Sequence, residues 1–141
     1  MDLSLILARL KAQLPALRSL GQSADLAAAK SGMLALPGMF VVPLKDLATP
    51  EDMTSATSQQ ITQTFGVVVG LRNSRDALGG AALDELHPHR LALRAALVGW
   101  VPDTDTGEPV HFSAGHLLEI DGEQRLWWVD EFQLKTYYWS A

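Results

Sequence analysis

The sequence predicts an α+β fold: a two-layer sandwich with helices packed on one face of a mostly antiparallel mixed sheet. Three observations carry this reading. Apolar residues alternate with polar ones through residues 59–72 and again through 110–120. Two other stretches repeat apolar residues at three- and four-residue spacing. An Asp-Gly pair then joins two aromatic-rich strand candidates. Hairpin-joined strands with segregated helices are the pattern of a layered α+β domain.

Leu3, Ile6, Leu10, Leu14 and Leu17 lie on one helical face, with Asp2 as N-cap. Pro15 ends or kinks this helix near Leu14. Residues 24–30 form a short alanine-rich helix candidate. After the Leu36-Pro37-Gly38 turn, residues 39–43 read as a short strand. Its flanking prolines indicate an edge position or strand termini. Residues 44–58 read as a long polar loop, a length that is usually either functional or disordered.

The clearest strand is 59–72. Ile61, Phe65, Val67, Val69 and Leu71 share one face; Gln60, Thr62, Thr64 and Arg72 share the other, with Val68 as the exception. Gly66 and Gly70 on the polar face point to bulges or close neighbours. Leu78, Ala82, Leu86, Leu93, Leu97 and Trp100 give a second helical stripe, interrupted by Pro88 and ended at Gly99.

Residues 110–120 alternate, placing Val110, Phe112, Ala114, Leu118 and Ile120 on one face. Asp121-Gly122 is a strong hairpin signal. Residues 125–130 form its partner strand, with Trp127 and Trp128 on opposite faces, and 132–139 a further strand.

The 141 residues suit one domain, which at this length buries about 68–70% of its unfolded surface. Hydrophobic residues at 48% and charged residues at 19% fit a globular chain. There is no cysteine, so disulfide scaffolds, thiol nucleophiles and thiolate zinc sites are excluded. No run reaches the ~18 apolar residues of a membrane span, and the acidic start lacks a signal peptide's basic region. A soluble protein with no membrane partner is the expectation.

The net charge of -5 argues against a DNA-coating role. It is also unevenly spread. Residues 1–45 carry five basic side chains against two acidic ones, whereas residues 100–141 carry eight acids against Arg125 and Lys135. Asp46, Glu51 and Asp52 add an acidic patch between. A basic front and an acidic back can attract each other between copies.

Signatures of chemistry are missing. There is no glycine-rich nucleotide loop and no Gly-x-Ser-x-Gly elbow. His87 and His89 flank Pro88 without the spacing of two ligands on one helix face. His111 and His116, five apart, point to opposite faces of a regular strand. The carboxylates Asp103, Asp105 and Glu108, and the pair Asp130-Glu131, do not make a paired-acid cleft from sequence alone. The expectation is no catalytic residue, no metal and no cofactor. The aromatic C-terminal half also suits a rival reading, a small-molecule binder or isomerase of NTF2-like shape with His116 or Asp130 in its pocket.

Several stretches together resemble the tail terminator proteins of long-tailed bacteriophages, from about Leu5 to Trp139. They are Arg9-Leu10 at the end of a short helix, and Pro37-Gly38-Met39-Phe40-Val41-Val42-Pro43. After a polar loop come Gln60, Gln63, Phe65, Val67 and Val69. Leu97-Val98-Gly99-Trp100-Val101-Pro102 closes a helix; a hairpin and Trp128-Val129-Asp130-Glu131-Phe132 with Thr136-Tyr137-Tyr138 complete the set. Pro88 inside the second helix departs from the pattern.

The resemblance implies a non-enzymatic virion protein forming a hexameric ring. Such a ring caps the tail tube, stops tube-protein polymerisation and offers the surface that joins the head-tail connector. Assembly in the host cytoplasm follows, with DNA passing through the lumen without specific binding. Arg9, Lys11, Asp46, Glu51, Asp52, Arg72, Asp130 and Glu131 are the candidate subunit or tube contacts.

Overall fold

The computed structural model describes residues 2–48, 58–72, 80–105 and 107–139. Its elements in chain order are α1 (Leu3–Gln13), β1 (Ser19–Gly21), α2 (Ser23–Lys30), β2 (Gly38–Ala48), β3 (Ser58–Arg72), α3 (Gly80–Leu97), β4 (His111–Ile120) and β5 (Arg125–Trp139). The strands form one mixed sheet in the order β1-β2-β3-β5-β4, antiparallel except for the parallel pair β1–β2. The α+β class therefore stands.

α1 begins where Asp2 Oδ1 accepts the Ser4 backbone N–H at 2.9 Å, and it stops before Pro15, which has no N–H to extend the ladder. Ile6 and Leu10 are its fully buried residues. With Leu86, Leu93, Ala96 and Leu97 of α3 they cover the sheet face formed by Met39, Val41, Phe65, Val67, Val69, Leu71, Leu126, Phe132 and Leu134. This is the apolar face that alternation along β3 predicts.

α2 departs from the one-sided arrangement. Ala29 of α2 packs with Phe40, Val68, Trp127 and Val129, which point to the reverse face of the sheet. Val68, the apolar exception on the polar side of β3, is thus the floor beneath α2. The two glycines on that side mark close neighbours. A Cβ on Gly66 would approach Val129 Cγ2 to 2.9 Å, and one on Gly70 would approach Trp127 Cζ3 to 2.6 Å.

Four further expectations are corrected. First, β2 continues to Ala48, pairing with β3 down to Ala48↔Ile61, so the first five residues of the 44–58 segment are strand. Together with the far ends of β3 and β5 they form a three-stranded arm, along which residues 43–48 are exposed. β2 is also an interior strand. β1 pairs only with its first three residues, so Pro43, whose ring lacks an N–H, lies where β2 has no second neighbour.

Second, α3 runs through Pro88 as one helix. It ends at Gly99, whose φ of 84° is the left-handed conformation glycine adopts freely. Third, β5 is a single 15-residue strand, so residues 132–139 continue 125–130.

Fourth, β4 does not keep its alternation. All ten of its residues are exposed, and bulges between Phe112 and Ala114 and between Leu117 and Glu119 shift its register against β5. The first bulge brings His111 and His116 opposite Gln133 and Val129, onto one and the same face. The turn to β5 falls at the Asp121-Gly122 signal, as expected, and its conformation is a further detail. Gln124, at φ 60°, takes the left-handed position of a type I turn with a bulge, in place of a two-residue Asp-Gly turn.

Candidate functional site

The six described candidate residues do not converge: Arg9 and Asp130 are engaged inside the protomer, and Lys11, Asp46, Arg72 and Glu131 reach the surface on different elements. Asp130 belongs to an internal network. Its side chain is fully buried and accepts from Arg90 Nη2 at 2.9 Å, Arg90 Nε at 3.1 Å and Trp128 Nε1 at 2.9 Å. Arg90 reaches it from α3 and stacks 4.5 Å from the Trp128 ring. A Cβ at Gly115 would crowd both groups, so the glycine lets β4 pass this pair. Asp130 is thus no surface contact, because a buried carboxylate must keep its cation.

Arg9 is also engaged within the protomer. Its Nε donates to Ala96 O at 3.0 Å, which satisfies a carbonyl in the last turn of α3, and its guanidinium lies over Trp100. It ties α1 to the end of α3 rather than standing free.

The other described candidates reach the surface. Glu131 is half-buried, with Oε2 3.6 Å from His116 Nδ1. Arg72 is exposed at the end of β3, opposite Arg125 of β5. Asp46 is exposed on the arm. At the arm's outer end, Gln60 Nε2 donates to Tyr137 Oη, which donates to Glu108 Oε1, both at 3.1 Å. Glu51 and Asp52 lie outside the described residues.

Lys11 is exposed on the rim of an open groove of about 500 Å³ between α1 and β1. Leu7, Leu14, Leu17 and Leu20 line it, and Arg18 stands on the same rim. Neither Lys11 nor Arg18 has an ion pair among the described residues. An apolar floor below two unneutralised cations suits an apolar segment that carries carboxylates. The helical spacing Leu7, Lys11, Leu14 held this groove in the sequence, but without β1 nothing marked its second wall.

A second internal network lies around Asp121. Its carboxylate accepts from Arg125 Nε at 2.9 Å, Trp127 Nε1 at 3.0 Å and the backbone N–H groups of Glu123 and Arg125. Burial pushes this carboxyl's pKa up. The bonds from Trp127, Arg125 and Glu123, with the Arg125 charge, outweigh that and leave it below the ordinary value. Arg125 also donates to Ala29 O and Lys30 O at 3.0 and 2.8 Å, so it caps α2 from the hairpin.

The pocket reading finds no support in this geometry. His116 is exposed on the edge strand and Asp130 is sealed by Arg90, so they do not face a common cavity. Among the described residues no three histidine or acidic side chains gather as a metal site. No described helix is long and apolar enough to cross a membrane.

No curated protein matches the chain. The family model for the phage tail terminator protein matches residues 1–139, essentially its whole length. The chain belongs to the phage tail terminator family and is a structural component of the virion tail.

Proposed function

We propose that this protein closes into a hexameric ring on the finished tail tube, ends tube-protein polymerisation there and presents the surface that the head-tail connector engages. The observation that carries the reading is the family match over residues 1–139. Two features of the chain support it. The three-stranded arm, with Asp46 and its exposed neighbours, extends the sheet beyond the helices as a reach toward a neighbour or the tube. The basic front and acidic back favour head-to-tail contacts, the kind that close into rings.

Assembly takes place in the host cytoplasm, and the ring sits at the head-proximal end of the tube. DNA passes through its lumen without specific binding. Six copies at -5 each carry no net attraction for phosphate, and Asp46, Glu51, Asp52 and the acidic C-terminal part would repel it where they line the passage.

The test is to add the purified chain to tube protein as it polymerises and to view tube ends by negative-stain electron microscopy. Six-fold rings on one end of tubes whose growth has stopped are the expected result. Tubes that lengthen unchanged at saturating protein, with bare ends, would overturn the reading. A lumen lined by lysine and arginine in a reconstruction of the ring would overturn the passage argument alone.

A further inference from the structure

We infer that neighbouring copies join through opposite edges of the sheet, the β4–β5 hairpin of one copy seating in the α1–β1 groove of the next. This deepens the ring reading and rests on it. The occupant of the groove is therefore a second copy of this chain.

The sheet register sets the two surfaces opposite each other. One row of paired residues crosses all five strands: Ser19, Gly38, Gly70, Trp127 and Glu119. Ser19 lies beside the groove and Glu119 is on the hairpin, so the two surfaces stand at the same height on opposite edges. Four strand spacings of about 4.8 Å put roughly 19 Å of sheet between them. A single copy therefore cannot fill its own groove with its own hairpin. A neighbour related by rotation can, and repeating that rotation is a heterologous contact that closes into a ring.

The two surfaces are complementary in character. The groove has four leucines and the exposed cations Lys11 and Arg18, which make no ion pair among the described residues. The hairpin exposes Leu117, Leu118 and Ile120, each between 40 and 44% accessible, together with Glu119 and Glu123. Leu117 and Ile120, opposite Trp128 and Leu126, face the α1–α3 side and Glu119, opposite Trp127, the other, so the hairpin edge brings leucine, isoleucine and carboxylates together against the groove's four leucines, one ammonium and one guanidinium. Glu119 has a partly exposed partner within its own copy, Lys30 at 3.4 Å, and Glu123 is 70% exposed beyond Arg125. Exposed pairs of this sort are weak enough to exchange.

The contact is one of side chains. The two bulges in β4 disrupt the regular ladder that backbone pairing along an edge requires. A groove at the other edge accepts an irregular strand where a flat edge would not.

The test uses charge reversal of exposed residues, so folding is spared. Lys11→Glu with Arg18→Glu, and separately Glu119→Lys with Glu123→Lys, should each weaken self-association by about tenfold or more, as read by sedimentation velocity. An equimolar mixture of the two variants should recover it, because each reversed surface then meets its complement in an alternating ring. As a second measurement, Arg18→Cys with Glu119→Cys in one chain, which otherwise has no cysteine, should give an oxidised ladder that neither single variant gives.

Assembly of both reversed variants at wild-type strength, with no ladder, would overturn the contact and leave the ring standing. A ladder closing at a number other than six would keep the contact and overturn the hexamer. A wild-type chain that stays monomeric to about 1 mM and gives no ladder would overturn the contact as a self-association surface.

Discussion

Arg90 holds the buried carboxylate of Asp130 through two nitrogens, at 2.9 to 3.2 Å, while Trp128 Nε1 donates to the same oxygen that Arg90 Nη2 reaches. The pair ties α3 to the centre of β5 and fixes how the helix layer sits on the sheet. Breaking it from one side strands a charge. Arg90→Ala should cost about 3–5 kcal/mol in urea unfolding, whereas replacing both partners with apolar residues should cost clearly less. Equal losses in the two variants would show that Arg90 acts by packing on Trp128 and not by pairing.

Asp121 gives the fold an acid-sensitive point. Its carboxyl sits below the ordinary value of 3.8, since four hydrogen bonds favour the ionised form despite burial. A lowered carboxyl pKa adds stability that is fully present above the unfolded value. That stability is lost as pH falls through the folded value. Wild-type stability should therefore fall below about pH 4, and Asp121→Asn should flatten that part of the profile, as measured by urea titrations at successive pH values. An unchanged slope would place the acid sensitivity elsewhere.

Gly70 is required by its neighbour rather than by its backbone. A methyl group there would press on the Trp127 ring, at 2.6 Å from Cζ3, and that ring is fully buried and unable to give way. Gly70→Ala should destabilise by about 1–3 kcal/mol. Gly122 faces open space and has no positive φ, so Gly122→Ala should be neutral or slightly stabilising in the same thermal scan.

The α1 cap offers a smaller effect. Asp2→Ala removes the acceptor for the Ser4 N–H and should lower stability slightly in thermal unfolding. Asp2→Ser, which keeps an acceptor at that position, should recover most of it.

Local patterns carried much of this fold, and their limits have physical causes. Alternation along β3 named the helix-facing core because β5 pairs with it in unbroken register and β2 does so from Gly38 to Pro43. Asp2 and Gly99 marked helix ends because capping is a local property. β1 escaped notice because three residues are too few to show a period. The edge strand β4 misled because two bulges interrupt its pleat, and bulges leave no mark in alternation. Pro88 suggested a break that packing of α3 against α1 and the sheet overrides. At the candidate sites, charge alone did not separate surface from interior. Asp130 and Glu131 are adjacent in sequence, yet strand alternation buries the first beside Arg90 and turns the second toward His116.

The bulges in β4 have a consequence for the proposed ending of tube growth. An open, regular edge of ten residues invites any passing strand, including a tube subunit or an unfinished copy of the same chain. With Ser113 and Leu118 each left without a partner on β5, a strand laid along that edge would lose register twice. The edge is thereby made poor as a template, so growth that reaches this protein finds no ladder on which to continue.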